Sequence, residues 1–192
     1  MANNPLDTAL FDKAVIFAVK AHAGTERRGK GFPYIIHPME AAEIVSTITS
    51  DPELLAAAIL HDVVEDTGTT VEDLRAAFGD RIADLVASES DTFREGLSEA
   101  ESWHDRKEEG LRRLRTASRD AKIVALGDKL SNMRAIARDY SLKGDAFWSL
   151  FHVPDPREHA WRYRGLADAL RELEDTFAFQ EFERLIDQVF PQ

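Results

Sequence analysis

The sequence predicts an all-α protein, built as a bundle of about eight to ten helices. Three observations lead to this fold class. Apolar residues recur at three- and four-residue steps along most of the chain. Residues that favour helix starts and helix ends bracket these segments. No stretch alternates apolar and polar residues between turn signals, as a half-buried β-strand does.

The first predicted helix lies in LDTALFDKAVIFAVKAHAG, where the apolar residues follow the helical period and Gly24 is the predicted C-cap. The next segment, GTERRGKGFPY (24–34), is rich in glycine and positive charge and is predicted to be an ordered loop. HPMEAAEIVSTI then opens a second helix, with Pro38 at its first position, that reaches about Thr49.

The third predicted helix, in SDPELLAAAILHDVVEDTG, has the clearest boundaries: Asp51 is the N-cap, Pro52 the first residue, and Gly68 follows the end. The fourth lies in TTVEDLRAAFGD, with Thr69 and Glu72 at capping-box spacing. The other predicted helices are residues 80–89, 101–116, 118–139, 157–174 and 178–189. A second loop is expected at 149–159, and the acidic segment 89–102 is interpreted as mobile.

Length and composition fit one soluble domain covering residues 1–192, since 44% of the residues are hydrophobic and 31% are charged. The absence of cysteine excludes disulfides and thiolate metal sites, so any metal must be bound by His, Asp or Glu. The N-terminal residues do not resemble a signal peptide, and no apolar run approaches the roughly 20 residues of a membrane span. We therefore expect a cytoplasmic protein without a membrane partner.

The formal net charge is −11, from 24 basic and 35 acidic residues. Nucleic-acid binding depends on neutralising phosphates, so this charge argues against a nucleic-acid partner. A small phosphorylated substrate remains compatible with it, provided that cations are concentrated locally or that a metal supplies them. The sequence does not predict an oligomeric state.

ILHDVVEDTG places His61, Asp62, Glu65 and Asp66 directly behind an apolar run. On a helix, His61 and Glu65 stack along one line and Asp62 and Asp66 along the adjacent line, so the four are predicted to form one patch. Burying an ionised carboxylate is costly unless a cation pairs with it. Either this helix end reaches solvent, with a hydrogen-bonded histidine, or a cation is bound here.

Two further residues favour the cation. His37 in PYIIHP is held at the start of a helix, and Asp128 interrupts the apolar face of AKIVALGDKLSNMR. Each has an ordinary alternative: His37 as a capping or packing residue, and Asp128 as the partner of Lys129 or Arg134. Taken with His61 and Asp62, they form a nitrogen and oxygen ligand set that suits a divalent ion such as manganese, with zinc or iron less favoured.

The order His37, His61-Asp62, Asp128 resembles that of the HD superfamily of metal-dependent phosphohydrolases. AHAGTERRGKGFPYIIHP, LHDVVEDT and GDKLSNMR narrow the resemblance to the hydrolase domains of the RelA/SpoT family, most closely the stand-alone small alarmone hydrolases such as the metazoan SpoT homologue. The resemblance covers roughly residues 10–140, the expected metal-site core, and C-terminal helices at about 155–190 are expected to pack on it.

The resemblance implies an activity: removal of the 3′-pyrophosphate from ppGpp or pppGpp, which releases GDP or GTP. One Mn²⁺ would be held by four ligands: His37, His61, Asp62 and Asp128. Glu65 and Asp66 would position and activate the attacking water. The substrate-binding residues would be Arg27, Arg28 and Asn132, with Lys30 completing the cationic stretch RRGK.

Several positions depart from the family pattern and leave the substrate open. The chain has Arg27-Arg28 where the family usually has Arg-Lys, Gly31 where a small acidic or polar residue is usual, and Gly127 where alanine is usual. Side chains that either line a nucleotide site or pack between helices are Trp103, Arg106, Lys107, Trp161 and Tyr163, with packing favoured for the tryptophans. Histidines without an assigned partner, interpreted as structural, are His22, His104, His152 and His159.

Three other functions compete with the alarmone hydrolase. A phosphatase acting on another nucleotide, such as NADP(H) or a nucleoside monophosphate, would use the same metal machinery. A module that binds alarmone without cleaving it is disfavoured because all six metal and acid residues are present. A purely structural helical protein leaves the charges at the end of the apolar helix unexplained.

Overall fold

The computed structural model describes residues 6–27, 29–89 and 99–191. These residues form ten α-helices and two short 3₁₀ helices, and extended structure among them is limited to an isolated bridge between Glu26 and Pro33. The α-helices are α1 (Ala9–Ala21), α2 (Ile36–Ser46), α3 (Pro52–Leu60), α4 (Val63–Asp66), α5 (Val71–Phe78), α6 (Asp80–Glu89), α7 (Glu99–Thr116), α8 (Arg119–Lys143), α9 (Pro156–Ala169) and α10 (Phe177–Val189). The all-α prediction is confirmed.

The 25-residue helix α8 is the centre of the bundle. Helices α2, α3, α6 and α10 pack against it, α1 covers α3, α5 lies on α6, and α7 lies on α9. Ser118 caps α8 by accepting a hydrogen bond from the backbone N–H of Ala121, and Gly144 ends it with a positive φ. One cluster of buried apolar side chains runs from Ala14 to Phe190, so the C-terminal helices share the core of the rest.

Helices α2 and α8 approach each other closely at Gly127. A Cβ atom at this position would lie 2.7 Å from the carbonyl oxygen of Ala41 and 2.8 Å from Cγ2 of Val45. The glycine that departs from the family pattern therefore lets two backbones meet beside Asp128. This contact sets the distance between the helices that carry His37 and Asp128.

The prediction of one continuous helix over 51–68 was wrong. Helix α3 ends at Leu60, and the short helix α4 begins only at Val63. Nδ1 of His61 lies 2.8 Å from the carbonyl oxygen of Ala58, an oxygen that the backbone N–H of Asp62 would bond in a regular helix, and Asp62 has φ −98° and ψ −3°. The side chain of His61 thus competes with the backbone N–H of Asp62 for the carbonyl oxygen of Ala58.

Other boundaries differ for local reasons. The capping box of α5 uses Thr70 and Asp73 rather than Thr69 and Glu72: the hydroxyl of Thr70 accepts from the backbone N–H of Asp73, and the carboxylate of Asp73 accepts from that of Thr70. Pro38 is the third residue of α2 and not the first. Helix α1 ends at Ala21, and Gly24 lies in the following turn with φ 78°.

The C-terminal half shows smaller differences. Helix α8 is longer than predicted, the predicted helix 157–174 divides into α9 and a 3₁₀ helix, Arg171–Leu173, and the 3₁₀ helix Gly144–Leu150 extends into the predicted loop 149–159. Most of the segment predicted to be mobile, residues 90–98, lies outside the described residues. No helix in the described part of the chain has both the length and the apolar character needed to cross a membrane.

Candidate metal centre and the adjoining cavity

His37 is buried near the start of α2, and its ring is oriented by a relay of hydrogen bonds. The hydroxyl of Ser131 donates to Oε2 of Glu40 at 2.8 Å, so its oxygen accepts from Nδ1 of His37, also at 2.8 Å. Nε2 is then the unprotonated nitrogen, and it lies 3.1 Å from Oδ1 of Asp128. This is the orientation of a metal-ligating histidine whose outer nitrogen is hydrogen-bonded.

His61 presents its Nε2 to the same point. Its Nδ1–H donates to the carbonyl of Ala58, and its Nε2 is buried without hydrogen-bond geometry to any partner in the described residues. The nearest oxygens belong to Asp62, at 2.8 Å, and Asp128, at 3.5 Å. A buried imidazole nitrogen that lacks a hydrogen bond among the described residues and faces two carboxylates fits a site for a bound cation.

The carboxylates of Asp62 and Asp128 face the two imidazoles from opposite elements. Oδ2 of Asp62 lies 3.4 Å from Nε2 of His37 and accepts a hydrogen bond of 2.6 Å from the hydroxyl of Tyr34. Oδ1 of Asp128 faces the imidazoles, whereas its Oδ2 pairs with the ammonium of Lys129. The break between α3 and α4 turns Asp62 toward the centre that His61 also faces.

The pKa values show that this centre favours a positive charge. Burial disfavours the charged form of each group, but the surrounding charges prevail: the carboxylates raise the pKa of His61 well above 6.5, and the imidazoles hold the pKa of Asp62 far below its usual value. For Asp128, burial is outweighed first by Lys129 and then by the histidines, so its pKa is also lowered. Two ionised carboxylates that face the same two imidazoles make the centre electrostatically suited to a cation.

The metal-binding group is compact. One ligand atom each from His37, His61 and Asp128 lies within 4.8 Å of the others, and Asp62 contacts both histidines. The donor set of two nitrogens with carboxylate oxygens fits a divalent ion. The residues proposed as metal ligands from the sequence are thus brought together from α2, the α3–α4 break and α8.

Glu65 and Asp66 lie one turn beyond, exposed on α4. The hydroxyl of Tyr34 donates to Asp62, and Asp66 is near enough to contribute to the pKa of the phenol, so Tyr34 lies between the exposed acid and the buried centre. Burial, followed by these two carboxylates, raises the pKa of Tyr34, so the phenol stays protonated and donates. The assignment of Glu65 and Asp66 to water activation stays a prediction.

A cavity of about 400 Å³ adjoins the metal-binding group and receives residues from the loop before α2, from α8 and from α9. Arg27 donates to Oδ1 of Asn132 at 2.5 Å, and Asn132 donates to Oδ1 of Asp128 at 2.5 Å. The guanidinium of Arg27 also lies over the ring of Tyr34, and Lys30 pairs with Asp139. Of the four substrate-binding residues predicted, three line this cavity, and Arg28 lies outside the described residues.

Sequence reasoning missed Tyr34, Ser131 and Lys129 as parts of this site. Tyr34 and Ser131 stand inside quoted motifs, but only the fold shows that their hydroxyls reach Asp62 and His37. From the sequence, pairing with Lys129 is the alternative explanation of Asp128. The structure shows both arrangements together, because Lys129 takes one carboxylate oxygen and leaves the other for the metal-binding group.

The remaining aromatic residues and histidines are placed as follows. Trp161 stacks on His104 at 4.2 Å between ring centroids, whereas Trp103 is buried against His159 and also lines the cavity. His159 donates to the carbonyl of Val153. Trp161 therefore packs against another aromatic ring, whereas Trp103 both packs against His159 and lines the cavity.

The comparisons with known proteins agree with this geometry. The family model described as HD domain matches residues 14–148, well over half of the chain. HD-domain hydrolases bind a divalent metal, and this chain carries the corresponding His/His/Asp group. In a second comparison, the chain is 38% identical over 139 residues to the Danio rerio protein named guanosine-3′,5′-bis(diphosphate) 3′-pyrophosphohydrolase MESH1, covering 70% of this chain and 73% of that one.

Other relatives are much longer. A Vibrio cholerae protein named guanosine-3′,5′-bis(diphosphate) 3′-pyrophosphohydrolase is 38% identical over 65% of this chain, which spans 17% of its length. The Brucella abortus protein named GTP pyrophosphokinase rsh is 35% identical over 68% of this chain, again across 17% of the relative. This chain therefore corresponds to a small part of those proteins.

Two solved structures share the architecture. The Listeria monocytogenes EGD-e protein lmo0812 superposes with a TM-score of 0.70 at 32% identity, covering 84% of this chain and 98% of that one. A structure titled as a metazoan ortholog of SpoT that hydrolyzes ppGpp superposes with a TM-score of 0.75 over 97% of this chain, and at 24% identity it supports the fold. Because the HD-domain model matches residues 14–148 and the zebrafish relative is 38% identical, the chain belongs to the HD-domain family.

Proposed function

We propose that this chain is a manganese-dependent hydrolase that removes the 3′-diphosphate of guanosine 3′,5′-bis(diphosphate), or of its 5′-triphosphate analogue. The observation that carries the proposal is the group His37, His61 and Asp128, closed by Asp62 and placed beside a cavity with basic residues. The names of the zebrafish and Vibrio relatives support the choice of substrate. One water is consumed, and the products are GDP, or GTP, and pyrophosphate.

His37, His61, Asp62 and Asp128 would hold one Mn²⁺. When bound, the ion would lower the pKa of a coordinated water and neutralise phosphoryl oxygens. Ser131 and Glu40 fix the orientation of His37, and the carbonyl of Ala58 fixes that of His61, so both rings are held before any ligand arrives.

Glu65 and Asp66 would take up the proton of the attacking water. Both are exposed on α4 beside the metal-binding group, and general-base assistance of this kind contributes about 10²–10⁴-fold. Tyr34 would orient Asp62, because its hydroxyl donates to Oδ2 of that carboxylate, and the phenol also lies near Asp66. The 3′-oxygen of the ribose leaves as the phosphorus–oxygen bond breaks, and it takes a proton.

Arg27 and Asn132 would bind the nucleotide next to the reacting group, since they are linked by hydrogen bonds to Asp128. A guanidinium binds phosphate through two parallel N–H donors and stacks on a purine, which an ammonium does less well. Lys30 would add a positive charge from the same loop, and Arg28 is proposed with them from the sequence alone. The cytoplasmic location predicted from the sequence stays a prediction.

The test is hydrolysis of guanosine 3′,5′-bis(diphosphate) by metal-stripped protein, with and without added Mn²⁺, following GDP and pyrophosphate separately. Release of both in equal amounts, only with Mn²⁺, would support the reaction and the cofactor. Turnover of NADPH or of a nucleoside monophosphate in its place, on the same panel, would keep the metal centre and reject the substrate. Binding without turnover of any nucleotide would reject the enzyme.

A further inference from the structure

The cations around the 400 Å³ cavity differ in how they are paired. Arg27 donates to Asn132, and Lys30 forms an ion pair with Asp139. Lys143, at the end of α8, also lines the cavity, but it is exposed and its ammonium is solvated. Arg162, which enters the cavity from α9, makes no hydrogen bond or ion pair within the described chain, and its one recorded contact is with the ring of Tyr163.

Arg162 is half-buried, and it also lines a second cavity of about 120 Å³ with Lys129. A guanidinium has five N–H donors in a fixed fork, and leaving them without acceptors in a partly buried position is unfavourable. Because Lys129 and Arg162 line the same small cavity, two cationic side chains face one space there. The side of the cavity that Arg162 lines is therefore suited to bind an anion.

The position of Arg162 indicates which part of a nucleotide it would meet. Arg27 is two hydrogen bonds away from Asp128, so the Arg27–Asn132 side of the cavity adjoins the reacting 3′-diphosphate. Through the described residues, no such hydrogen-bonded link joins Arg162 to the metal-binding group. The ribose carries its second diphosphate at the 5′ position. With the 3′-diphosphate at the metal-binding group, the 5′-diphosphate would extend away from that group into the cavity.

We propose that Arg162 binds the 5′-diphosphate of the nucleotide, and that it thereby makes the site selective for 3′-diphosphates that also carry 5′-phosphates. This inference rests on the proposed function. Its physical basis is a bidentate contact between a planar guanidinium without a competing partner and two phosphate oxygens. Since this diphosphate is unchanged by the reaction, Arg162 contributes to binding more than to the chemical step.

The experiment compares Arg162→Gln with the wild type on two substrates: guanosine 3′,5′-bis(diphosphate), and guanosine 3′-diphosphate with a free 5′-hydroxyl. We expect KM for the first to rise at least about tenfold with little change in kcat, as expected for loss of a charged hydrogen bond. The kinetic constants for the second should stay within about twofold, and Arg162→Lys should recover part of the loss. Because Arg162 makes no hydrogen bond or ion pair with the residues that the structure describes, the Gln variant should fold as the wild type does.

Arg157→Gln is the matched control. Arg157 is on the same helix, its side chain is 89% exposed, and it pairs with Asp155 away from the cavity. This variant removes the same charge from the protein as a whole and should leave both substrates unaffected. Equal losses on both substrates in Arg162→Gln, or the same loss in Arg157→Gln, would overturn the inference.

A binding measurement separates this inference from the proposed function. GDP retains the 5′-diphosphate, and guanosine does not, so calorimetric titration of metal-free protein with each tests Arg162 without turnover. We expect the wild type to prefer GDP and Arg162→Gln to lose that preference by about tenfold. Unchanged GDP affinity in the variant would overturn the role of Arg162. Failure of the wild type to hydrolyse either substrate would reject the proposed function, and the GDP titration would still decide the role of Arg162.

Discussion

The two oxygens of Asp128 have different partners, and this division explains how a buried carboxylate remains ionised beside two histidines. Oδ1 faces His37 and His61, and Oδ2 is paired with Lys129. Glu89 lies 3.3 Å from the same ammonium, so Lys129 is itself balanced. Because the charge of Lys129 is shared, it does not cancel the attraction of Asp128 for a second cation.

Asp62→Ala should remove metal binding and activity together while leaving the helices intact. The substitution deletes the carboxylate that lies 2.8 Å from His61 and 3.4 Å from His37. We expect turnover and Mn²⁺ affinity each to fall by at least about 100-fold, since even residues that only orient a ligand cost about 10–100-fold. Circular dichroism, metal titration and product release measure the three quantities.

Asp187→Ala is the control for Asp62→Ala, because Asp187 is an exposed carboxylate on α10. It should behave as the wild type in all three measurements. An Asp62→Ala protein that still hydrolyses its substrate at a rate near that of the wild type would contradict the proposed centre.

His159 should make stability depend on pH. Burial lowers its pKa from 6.5, because the ring packs against Trp148 and Phe151 and only Nε2 reaches a carbonyl. Below pH 6.5 the unfolded chain therefore binds more protons at this residue than the folded chain does. Its contribution to stability is complete above pH 6.5 and is lost as the pH falls through the folded-state pKa.

The variant His159→Gln keeps a donor for Val153 and does not titrate. Unfolding free energies of wild type and variant, measured by urea between about pH 8 and about pH 5, should converge as the pH falls. The comparison cancels the contributions of the other titrating groups. Parallel curves over the whole range would show that His159 does not carry this dependence.

At the scale of elements, helix α3 could be predicted from the sequence, but the break between α3 and α4 could not. Helix α3 was predicted correctly from the cap at Asp51 through Leu60, because its apolar period and capping residues are local signals. The break itself arises from the bond between His61 and its own helix, and propensity does not contain such side-chain competition. The prediction that His61, Asp62, Glu65 and Asp66 lie on one continuous helix was therefore wrong, although the prediction that they lie close together was correct.

The close approach of α2 and α8 gives a second prediction at this scale. Alanine has the higher helix propensity, by about 1 kcal/mol, but at Gly127 its Cβ would meet the backbone oxygen of Ala41 at 2.7 Å. Overpacking of this kind costs about 1–3 kcal/mol, so Gly127→Ala should lower the unfolding free energy by about 1–2 kcal/mol on balance. The site beside it should also bind metal less tightly.

Gly110→Ala is the matched comparison, since a Cβ there meets no atom within 4 Å in helix α7. That variant should gain about 0.5–1 kcal/mol in the same urea titration. If Gly127→Ala were equally stabilised, the backbones of α2 and α8 would have to be further apart than the structure shows.

For the molecule as a whole, the metal-binding group joins parts of the chain that are distant in sequence. His37, His61 and Asp128 come from α2, from the end of α3 and from α8, and the unfolded chain does not hold them together. The residue types and their order were readable from the sequence, but the contacts of the hydroxyls and the basic side chain that α9 brings to the cavity were not. These depend on packing between helices that are far apart along the chain.

Metal binding should therefore stabilise the folded protein. With free Mn²⁺ at about 100 times its dissociation constant, the unfolding free energy should rise by about 2.7 kcal/mol. Differential scanning calorimetry of metal-free protein, before and after addition of Mn²⁺, measures the accompanying rise in Tm, and excess chelator should reverse it. An Asp62→Ala protein should show no such rise, and an equal rise in both proteins would place the bound ion elsewhere.

Helix α8 carries Gly127, Asp128, Lys129, Ser131 and Asn132 within six residues. Adding or deleting one residue ahead of them would rotate all five by about 100° relative to α2. The metal ligand, its ammonium partner, the hydroxyl that orients His37 and the amide bonded to Arg27 would be displaced in the same event. Insertions and deletions are therefore far better tolerated in the loops than in this helix. In related sequences, an unchanged spacing of the residues around Asp128 should distinguish chains that keep this site from chains that have lost it.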